Sequence, residues 1–343
     1  MTDPLAPGAT IGILGGGQLG RMLAIAAARL GFRTIVFDPG ADGPASQVAG
    51  THFRADYDDE DALRRFGEAA DVITYEFENI PTAALDLLEG LCPIRPRRRA
   101  LAVSQDRLTE KAFLSEQGLH TAPFAAVDDE DDLAEALVEI GTPAILKTRR
   151  FGYDGKGQAR IMDLTEADQA LADMAGAPAI LEGLVDFSAE VSVIAARGAD
   201  GSVACFDPGE NEHADGILRT TTVPARLSAA QRSDAVLLAA RILGALDYVG
   251  VMGVELFVTP GGLLVNEIAP RVHNSGHWTQ QGCAVDQFEQ HVRAIVGWPL
   301  GDGERHADVV MENLIGDDVA QVPRIARESG APLRLYGKAE ARQ

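Results

Sequence analysis

The chain has 343 residues, about two domains' worth at roughly 150 residues per domain, and with 46% apolar residues it buries more than one core, which excludes a short peptide or a disordered tail. Thirty Lys and Arg against 51 Asp and Glu leave a net charge of −21, which repels a phosphate backbone or an anionic bilayer and argues against generic nucleic-acid or membrane-surface binding. Three scattered cysteines, Cys92, Cys205 and Cys283, form neither a C-x-x-C pair nor a disulfide framework; with no basic leader and no run of ~18 apolar residues, a soluble protein of the reducing cytoplasm is expected.

Residues 10–14 are a short apolar run ending in glycines, and 19–30 read as an Ala- and Leu-rich helix closed by Gly31. The apolar runs 34–37 and 72–75, with a polar helical stretch at 59–69 between them, continue the alternation of a parallel sheet covered by helices, so a first α/β domain is placed at 1–105. A helix at 106–117 then opens a smaller unit, with strands at 123–127, 144–148 and 179–182 and helices at 128–140 and 165–175. In the third region, strand-like stretches at 190–196 and 217–223, a helix at 228–243 and adjacent strands at 249–258 and 263–268 predict a mixed sheet.

Gly15, Gly17 and Gly20 satisfy G-x-G-x-x-G between a strand and a helix, and Asp38 ends the next strand 23 residues after Gly15, which is the dinucleotide-binding spacing. Such a turn offers backbone N–H groups at the positive end of a helix dipole to any anion, so it reports phosphate or carboxylate rather than nicotinamide. An NAD(P)- or flavin-dependent oxidoreductase and a tight turn without ligand both stay open here. The segment Thr74-Tyr75-Glu76-Phe77-Glu78-Asn79-Ile80-Pro81 lies where the next strand ends, at the edge where open α/β sheets take ligands. Glu76 and Glu78 point the same way if the strand continues, which suits a polar ligand; a polar strand end before a helix begun by Pro81 and Thr82 is the alternative.

Lys147 ends an apolar strand and is followed by Thr148-Arg149-Arg150-Phe151-Gly152-Tyr153-Asp154-Gly155-Lys156-Gly157-Gln158. Backbone donors freed by glycine, among Lys147, Arg149, Arg150 and Lys156, suit a loop that folds over a polyphosphate, although the spacing is not that of a P-loop and a solvated basic turn is equally polar. Lys147, fixed by its strand, is the better placed for a permanent phosphate contact. Two apolar strands flank the turn Pro260-Gly261-Gly262; if it centres on Gly261, Glu255 faces Glu267 across the hairpin. Opposed carboxylates in apolar surroundings are unstable unless one is protonated or a cation lies between them, and a neighbouring polyphosphate makes magnesium the expected ion. A register off by one, or solvated edge glutamates, is the other reading. Glu182-Gly183-Leu184-Val185 closes a further strand and is able to present backbone groups to a base, with Glu190 near enough for ribose hydroxyls.

Together these residues resemble the ATP-grasp superfamily, and within it the N5-carboxyaminoimidazole ribonucleotide synthetase family of purine biosynthesis. The resemblance rests on Gly15-Gly16-Gly17-Gln18-Leu19-Gly20-Arg21-Met22, on Thr74 to Asn79, on Phe151-Gly152-Tyr153-Asp154-Gly155-Lys156-Gly157, on Asp215-Gly216-Ile217-Leu218-Arg219, and above all on Asn266-Glu267-Ile268-Ala269-Pro270-Arg271-Val272-His273-Asn274-Ser275-Gly276-His277-Trp278-Thr279. It implies an ATP-grasp fold, part α/β and part α+β, with a Rossmann-like parallel-sheet domain at 1–105, a small lid domain at 106–186 and a large domain at 187–343.

The same resemblance implies ATP between the second and third regions. Arg107 and Lys147 would contact phosphates, Gly152, Tyr153, Asp154, Gly155, Lys156, Gly157 and Gln158 would form the lid, Glu182, Gly183, Leu184 and Val185 would hold adenine, and Glu190, His213 and Asn266 would line the same site. Glu255 and Glu267 would bind Mg2+. Aminoimidazole ribonucleotide would lie at the first glycine turn, by Gly17, Gln18, Leu19 and Glu76, with Tyr153 and Asp154 nearby and Arg271, His273 and Asn274 where it meets bicarbonate. His273 is expected to assist proton transfer from a near-neutral pKa. The implied reaction is ATP-dependent carboxylation through carboxyphosphate, by a homodimer; an ATP-grasp ligase with another acid substrate is the nearer alternative. Two departures stand out. Ala269 replaces the metal-ligating asparagine of many ATP-grasp enzymes, as in the close family, and after Leu335-Tyr336-Gly337-Lys338 the chain stops at Gln343 where the family continues into a basic segment, so the ribonucleotide phosphate is expected to rely on Lys338 and, less directly, Arg342.

Overall fold

In a computed structural model, which describes residues 3–152 and 156–338, the elements form three sheets. The first comprises β1 (Thr10–Leu14), β2 (Arg33–Phe37), β3 (Thr51–Phe53) and β4 (Val72–Tyr75) in the order β3-β2-β1-β4, parallel throughout. β1, β2 and β4 are largely apolar because α1 (Gln18–Arg29) and α2 (Glu60–Glu68) belong to the helices that cover the sheet, whereas the edge strand β3 is short and partly exposed. Asp59 caps α2 by accepting from the Ala62 N–H, and Gly31, at φ +81°, turns the chain out of α1. After α3 (Thr82–Leu88) and α4 (Arg98–Ser104), the carboxylate of Asp106 caps α5 (Arg107–Glu116).

The second sheet holds β5 (Phe124–Val127), β6 (Ala144–Thr148), β7 (Gln158–Ile161) and β8 (Ala179–Gly183) in the order β5-β8-β6-β7, all antiparallel. Helices α6 (Glu130–Ile140) and α7 (Ala167–Asp173) close a core of its own around Leu133, Leu146 and Leu181. The expected helix at 165–175 is a 3-10 turn over Leu164–Glu166 that continues as α7.

The third sheet runs β14-β13-β9-β11-β12-β15, with β10 (Val203–Cys205) on β9 (Ala189–Arg197). Its remaining strands are β11 (Gly209–Ala214), β12 (Ile217–Val223), β13 (Gly250–Thr259), β14 (Gly262–Ala269) and β15 (Val309–Glu312). It is antiparallel rather than mixed, because β11-β12 and β13-β14 are hairpins and the other pairs also run in opposite senses. Helix α8 (Ala229–Ala245), capped by Ser228, packs with α4 and α5 on one face; α9 (Thr279–Gly282) and α10 (Gln287–Val296) follow β14, and α11 (Val322–Ile325) follows β15. Among the described residues no helix is long and apolar enough to cross a membrane.

The first and third sheets share one core. Leu23 and Ala27 of α1 belong to the same apolar cluster as Phe288, Val292 and Ile295 of α10 and Ile194 and Val251 of the third sheet, and Arg29 reaches Asp286 at 3.3 Å and Glu289 at 3.2 Å. His291, fully buried, bridges the two sheets: its Nδ1 accepts from the Val251 N–H at 3.0 Å, which leaves Nε2 to donate to Thr74 Oγ1 at 2.8 Å. Burial pushes its pKa down to about 3. Because the unfolded value is near 6.5, the stability this neutral ring confers is complete above that pH and is lost as pH falls toward 3, at up to about 1.4 kcal/mol per pH unit. Urea unfolding at successive pH values is expected to show stability declining below pH 6.5, with a shallower decline in a His291→Gln variant. An identical pH slope in the two proteins would remove His291 from that role.

Candidate functional site

A cavity of about 1990 Å³ opens between the second and third sheets and the segments that follow β1 and β4 of the first, which contribute Gln18, Leu19, Glu76 and Glu78. Glu255 and Glu267 are directly paired across the β13-β14 hairpin, as expected, but the register arises differently. The turn is the two-residue Pro260-Gly261, so the strands leave it as Thr259↔Gly262 and continue to Leu256↔Val265. That register would set Glu255 opposite Asn266 and send Glu267 to the other face. An extra residue, Asn266, shifts it by one before Glu255 is reached, and such a bulge sets two residues against one, so Asn266 and Glu267 both border the cavity.

The surrounding charges make the pair tolerable. Burial raises the Glu267 pKa, but Arg107, whose Nη1 lies 3.0 Å from Oε2, together with Lys147 and His273 holds the group below the ordinary carboxylate range. Burial, then the facing Glu267, pushes Glu255 up to about 8. Two opposed carboxylates, one with a raised pKa, fit a divalent cation. Among the described residues no cluster of three or more His, Cys, Asp or Glu side chains is placed to hold a metal. The donor set therefore suits Mg2+, which takes one or two carboxylates and completes its shell with phosphate oxygens and water.

Arg107 also donates to the Gly152 carbonyl at 3.3 Å, tying the cationic helix end to the start of the glycine-rich loop. Lys147, Gly152, Lys156 and Gln158 line the cavity; Gly157 does not, and Tyr153, Asp154, Gly155 and Arg342 lie outside the described residues. The Glu182 assignment needs correction for its side chain: the carboxylate is buried under Lys147 at 3.0 Å and Lys111 at 3.3 Å. Glu182, Gly183 and Val185 are off the cavity wall, and the N–H groups of Gly183 and Leu184 donate to Pro123 and Pro143 carbonyls, so they are not free for a base. Leu184 does line the wall, beside Ile145, Phe187 and Phe257, the two rings stacked at 4.6 Å. Glu190 and His213 form an ion pair at the same wall; burial lowers the His213 pKa, but Glu190, together with Glu255 and Glu267, brings it above its ordinary value.

Sequence reasoning missed two residues here. Glu110, buried, accepts from the Ile268 N–H at 3.3 Å, and burial raises its pKa well above the usual value. Lys111 donates to the Asn266 carbonyl at 3.0 Å. The available signal was the spacing Arg107, Glu110, Lys111, which sets three charges on one face of a helix.

At the other end of the cavity the glycine turn holds an anion of its own. Gly17 and Gly20 donate to the two oxygens of Glu76 at 2.8 and 3.2 Å, and Gly16 donates to Asp38 at 2.8 Å. A side chain at Gly17 would collide with that carboxylate, and Gly15 sits at φ +105°. The dinucleotide reading fails for this reason: Glu76 fills the position of the pyrophosphate. It also corrects Gly17 as a ligand contact, since its N–H is engaged and it is off the wall, whereas Gln18, Leu19 and Glu76 border the cavity. The strand stops at Tyr75, so Glu76 and Glu78 diverge, and Glu78 pairs with Arg271.

His273, too, differs from expectation. Its Nδ1 accepts from Ser275, whose hydroxyl lies 2.8 Å away, and Nε2 faces Glu255 at 3.5 Å. Burial, then Arg271, pushes its pKa down to about 4, so the ring is neutral at pH 7 rather than poised to titrate. Arg271, His273 and Asn274 all line the cavity, where the C-terminal segment joins them: Tyr336 meets His277 Nε2 at 2.8 Å, and Lys338 lies over the Tyr336 ring and on the wall.

The chain matches the family model described as an ATP-grasp domain over residues 112–288 and that described as a ribonucleotide synthetase preATP-grasp domain over residues 8–105. It is 58% identical over 341 residues to the N5-carboxyaminoimidazole ribonucleotide synthase of Brucella melitensis, across 98% of this chain and 94% of that protein. Its structure is similar to that of an ADP complex of N5-carboxyaminoimidazole ribonucleotide synthetase, with a TM-score of 0.97, 41% identity and coverage of 100% and 91% of the two chains. It is also similar to the Aspergillus clavatus N5-carboxyaminoimidazole synthase in complex with ADP and 5-aminoimidazole ribonucleotide, with a TM-score of 0.91, 30% identity and coverage of 98% and 91%.

The internal anion at the glycine turn is open to test. Glu76→Ala leaves the Gly17 and Gly20 donors without their acceptor and is expected to cost about 1–3 kcal/mol in denaturant unfolding, with Glu76→Gln costing less. Unchanged stability in the alanine variant, or binding of a nicotinamide dinucleotide by the parent protein, would contradict the assignment.

Proposed function

The chain belongs to the N5-carboxyaminoimidazole ribonucleotide synthase family of ATP-grasp enzymes, and from that membership we propose that it carboxylates 5-aminoimidazole ribonucleotide with bicarbonate at the expense of ATP. The observation that carries the reading is the opposition of Glu255 and Glu267 beside Arg107 and Lys147, in one cavity with Arg271 and His273. Nucleotide lies along the apolar wall of Ile145, Leu184, Phe187 and Phe257, with Glu190 and His213 beside its ribose and its phosphates toward Lys147 and Arg107. The Asn266 bulge holds Glu255 and Glu267 for Mg2+, which when bound offsets phosphate charge. Gly152, Lys156 and Gln158, on the loop side, cover the phosphates, and a covered site keeps water from a labile acyl phosphate.

A bicarbonate oxygen attacks the γ-phosphorus and the bond to ADP breaks, giving carboxyphosphate; the exocyclic amine of the ribonucleotide then bonds to its carbon, phosphate leaves, and the amine loses a proton. Arg271, fixed by Glu78, orients the anion. His273, neutral, serves through its Nε2–H as a donor rather than as a base. The ribonucleotide lies by Gln18, Leu19, Asn274 and Lys338. We place the enzyme in the cytoplasm as a homodimer, a placement supported by the family resemblance and by three unpaired thiols.

A coupled assay tests the reaction. ADP release is expected to require Mg2+, bicarbonate and the ribonucleotide together, with no change in the reduced-nicotinamide absorbance; release driven instead by formate or an amino acid would overturn the substrate assignment. Glu267→Gln is expected to lower kcat roughly a hundredfold or more while the protein stays folded. Lys338→Gln is expected chiefly to raise the ribonucleotide KM, and an unchanged KM would remove Lys338 from the site.

A further inference from the structure

Lys111 is 3% exposed and does not line the cavity, yet it touches both halves of the phosphate end. Its ammonium donates to the carbonyl of Asn266, the extra residue of the bulge, at 3.0 Å, and lies 3.3 Å from Glu182 Oε2. Lys147 approaches that same oxygen at 3.0 Å from the cavity side, while Glu182 Oε1 is buried with no hydrogen-bond partner among the described residues. One carboxylate thus serves two ammonium groups through a single oxygen. It balances one of them; the second calls for another anion. Of the two, only Lys147 borders the space where an anion can arrive. Were Lys147 to turn toward a phosphate with no second cation present, Glu182 would remain as a lone buried charge, which is strongly unfavourable.

We propose that Lys111 is a positioning residue for nucleotide binding: it remains as the counter-ion of Glu182, which frees Lys147 to engage a phosphate, and its bond to the Asn266 carbonyl fixes the bulge that pairs Glu255 with Glu267. The inference rests on the nucleotide reading of the cavity. Lys111 reaches the nucleotide only through Lys147 and the bulge, so its effect appears in affinity and not as a missing ligand contact.

The test measures ADP binding by calorimetry in the presence of Mg2+, with thermal unfolding of each variant. In Lys111→Met, Lys147 becomes the one ammonium left on Glu182 and is retained there; the ADP Kd is expected to rise at least about tenfold. Lys111→Arg keeps the charge and is expected to bind within about threefold of the parent. The decisive variant is Lys111→Met combined with Glu182→Gln: with the carboxylate neutral, Lys147 is released and most of the lost affinity returns. A merely structural lysine predicts the reverse, a second core substitution adding to the damage of the first. Parental affinity in a folded Lys111→Met protein, or no recovery in the double variant, overturns the proposal. If Lys111→Met does not fold, the double variant carries the test, since it leaves no lone buried charge: folded and binding supports the proposal, whereas unfolded, or folded without binding, overturns it. Failure of the parent protein itself to bind ADP would instead remove the nucleotide reading.

Discussion

Two carboxylates held face to face are the constraint around which the phosphate end of the molecule is arranged. Left alone, Glu255 and Glu267 would repel each other and destabilise the hairpin that carries them. The hairpin tolerates them because α5 crosses β14 with its charged face inward, bringing Arg107 onto Glu267 and Lys111 onto the bulge, and because Glu255 holds its proton to an unusually high pH. The proton on Glu255 marks a place for positive charge: a cation between the two groups would take over the part of that proton and let both carboxylates be charged.

The same logic, with the opposite outcome, governs the glycine turn. There the positive end of α1 and the N–H groups of Gly16, Gly17 and Gly20 need negative charge, and the protein provides it from within, through Asp38 and Glu76. One end of the cavity thus keeps an unsatisfied electrostatic demand and the other has met its own. That difference separates this chain from a dinucleotide-binding protein bearing the same glycine spacing, and it rests on Glu76, 59 residues beyond Gly17.

Much of the fold was legible because its signals are local. β1, β4 and β6 coincide with their apolar runs and β12 with its β-branched stretch, and the caps Asp59, Asp106 and Ser228 mark helix starts where a short polar side chain precedes a helical pattern. What escaped was decided at a distance. β3, β10, β11 and β15 are short or polar and are strands only because a neighbour pairs with them, and α10, with Phe288, Val292 and Ile295 at helical spacing, buries Gln287, Glu289, Gln290 and His291 as well, which its polar residues do not foretell. In the site, Glu255 does face Glu267, but the expectation rested on a turn centred on Gly261; the real turn is one residue tighter and the bulge at Asn266 restores the pairing, which spacing alone did not show because no residue there demands a bulge. The neutral state of His273 and the capture of Glu182 by two lysines depend on burial, which composition does not reveal.

The way the three sheets are joined bears on how such a site works. The first and third are joined through a common apolar core and through His291, so the glycine turn and the carboxylate pair keep a fixed relation. The second sheet has a separate core and meets the others near the site through polar contacts: Arg107 to Gly152, Lys111 to Glu182, and the backbone of His120 to Val265. Apolar burial is indifferent to a bound anion; an arrangement of opposite charges is not, because each added phosphate changes which cation is balanced by which carboxylate. The strand-borne cation Lys147 sits on one side of that polar seam and the paired carboxylates Glu255 and Glu267 on the other, so a polyphosphate and its counter-ion that met both would bind across the seam and strengthen it. The seam that holds the small sheet to the rest of the molecule is thus the part of the structure most sensitive to the ligand.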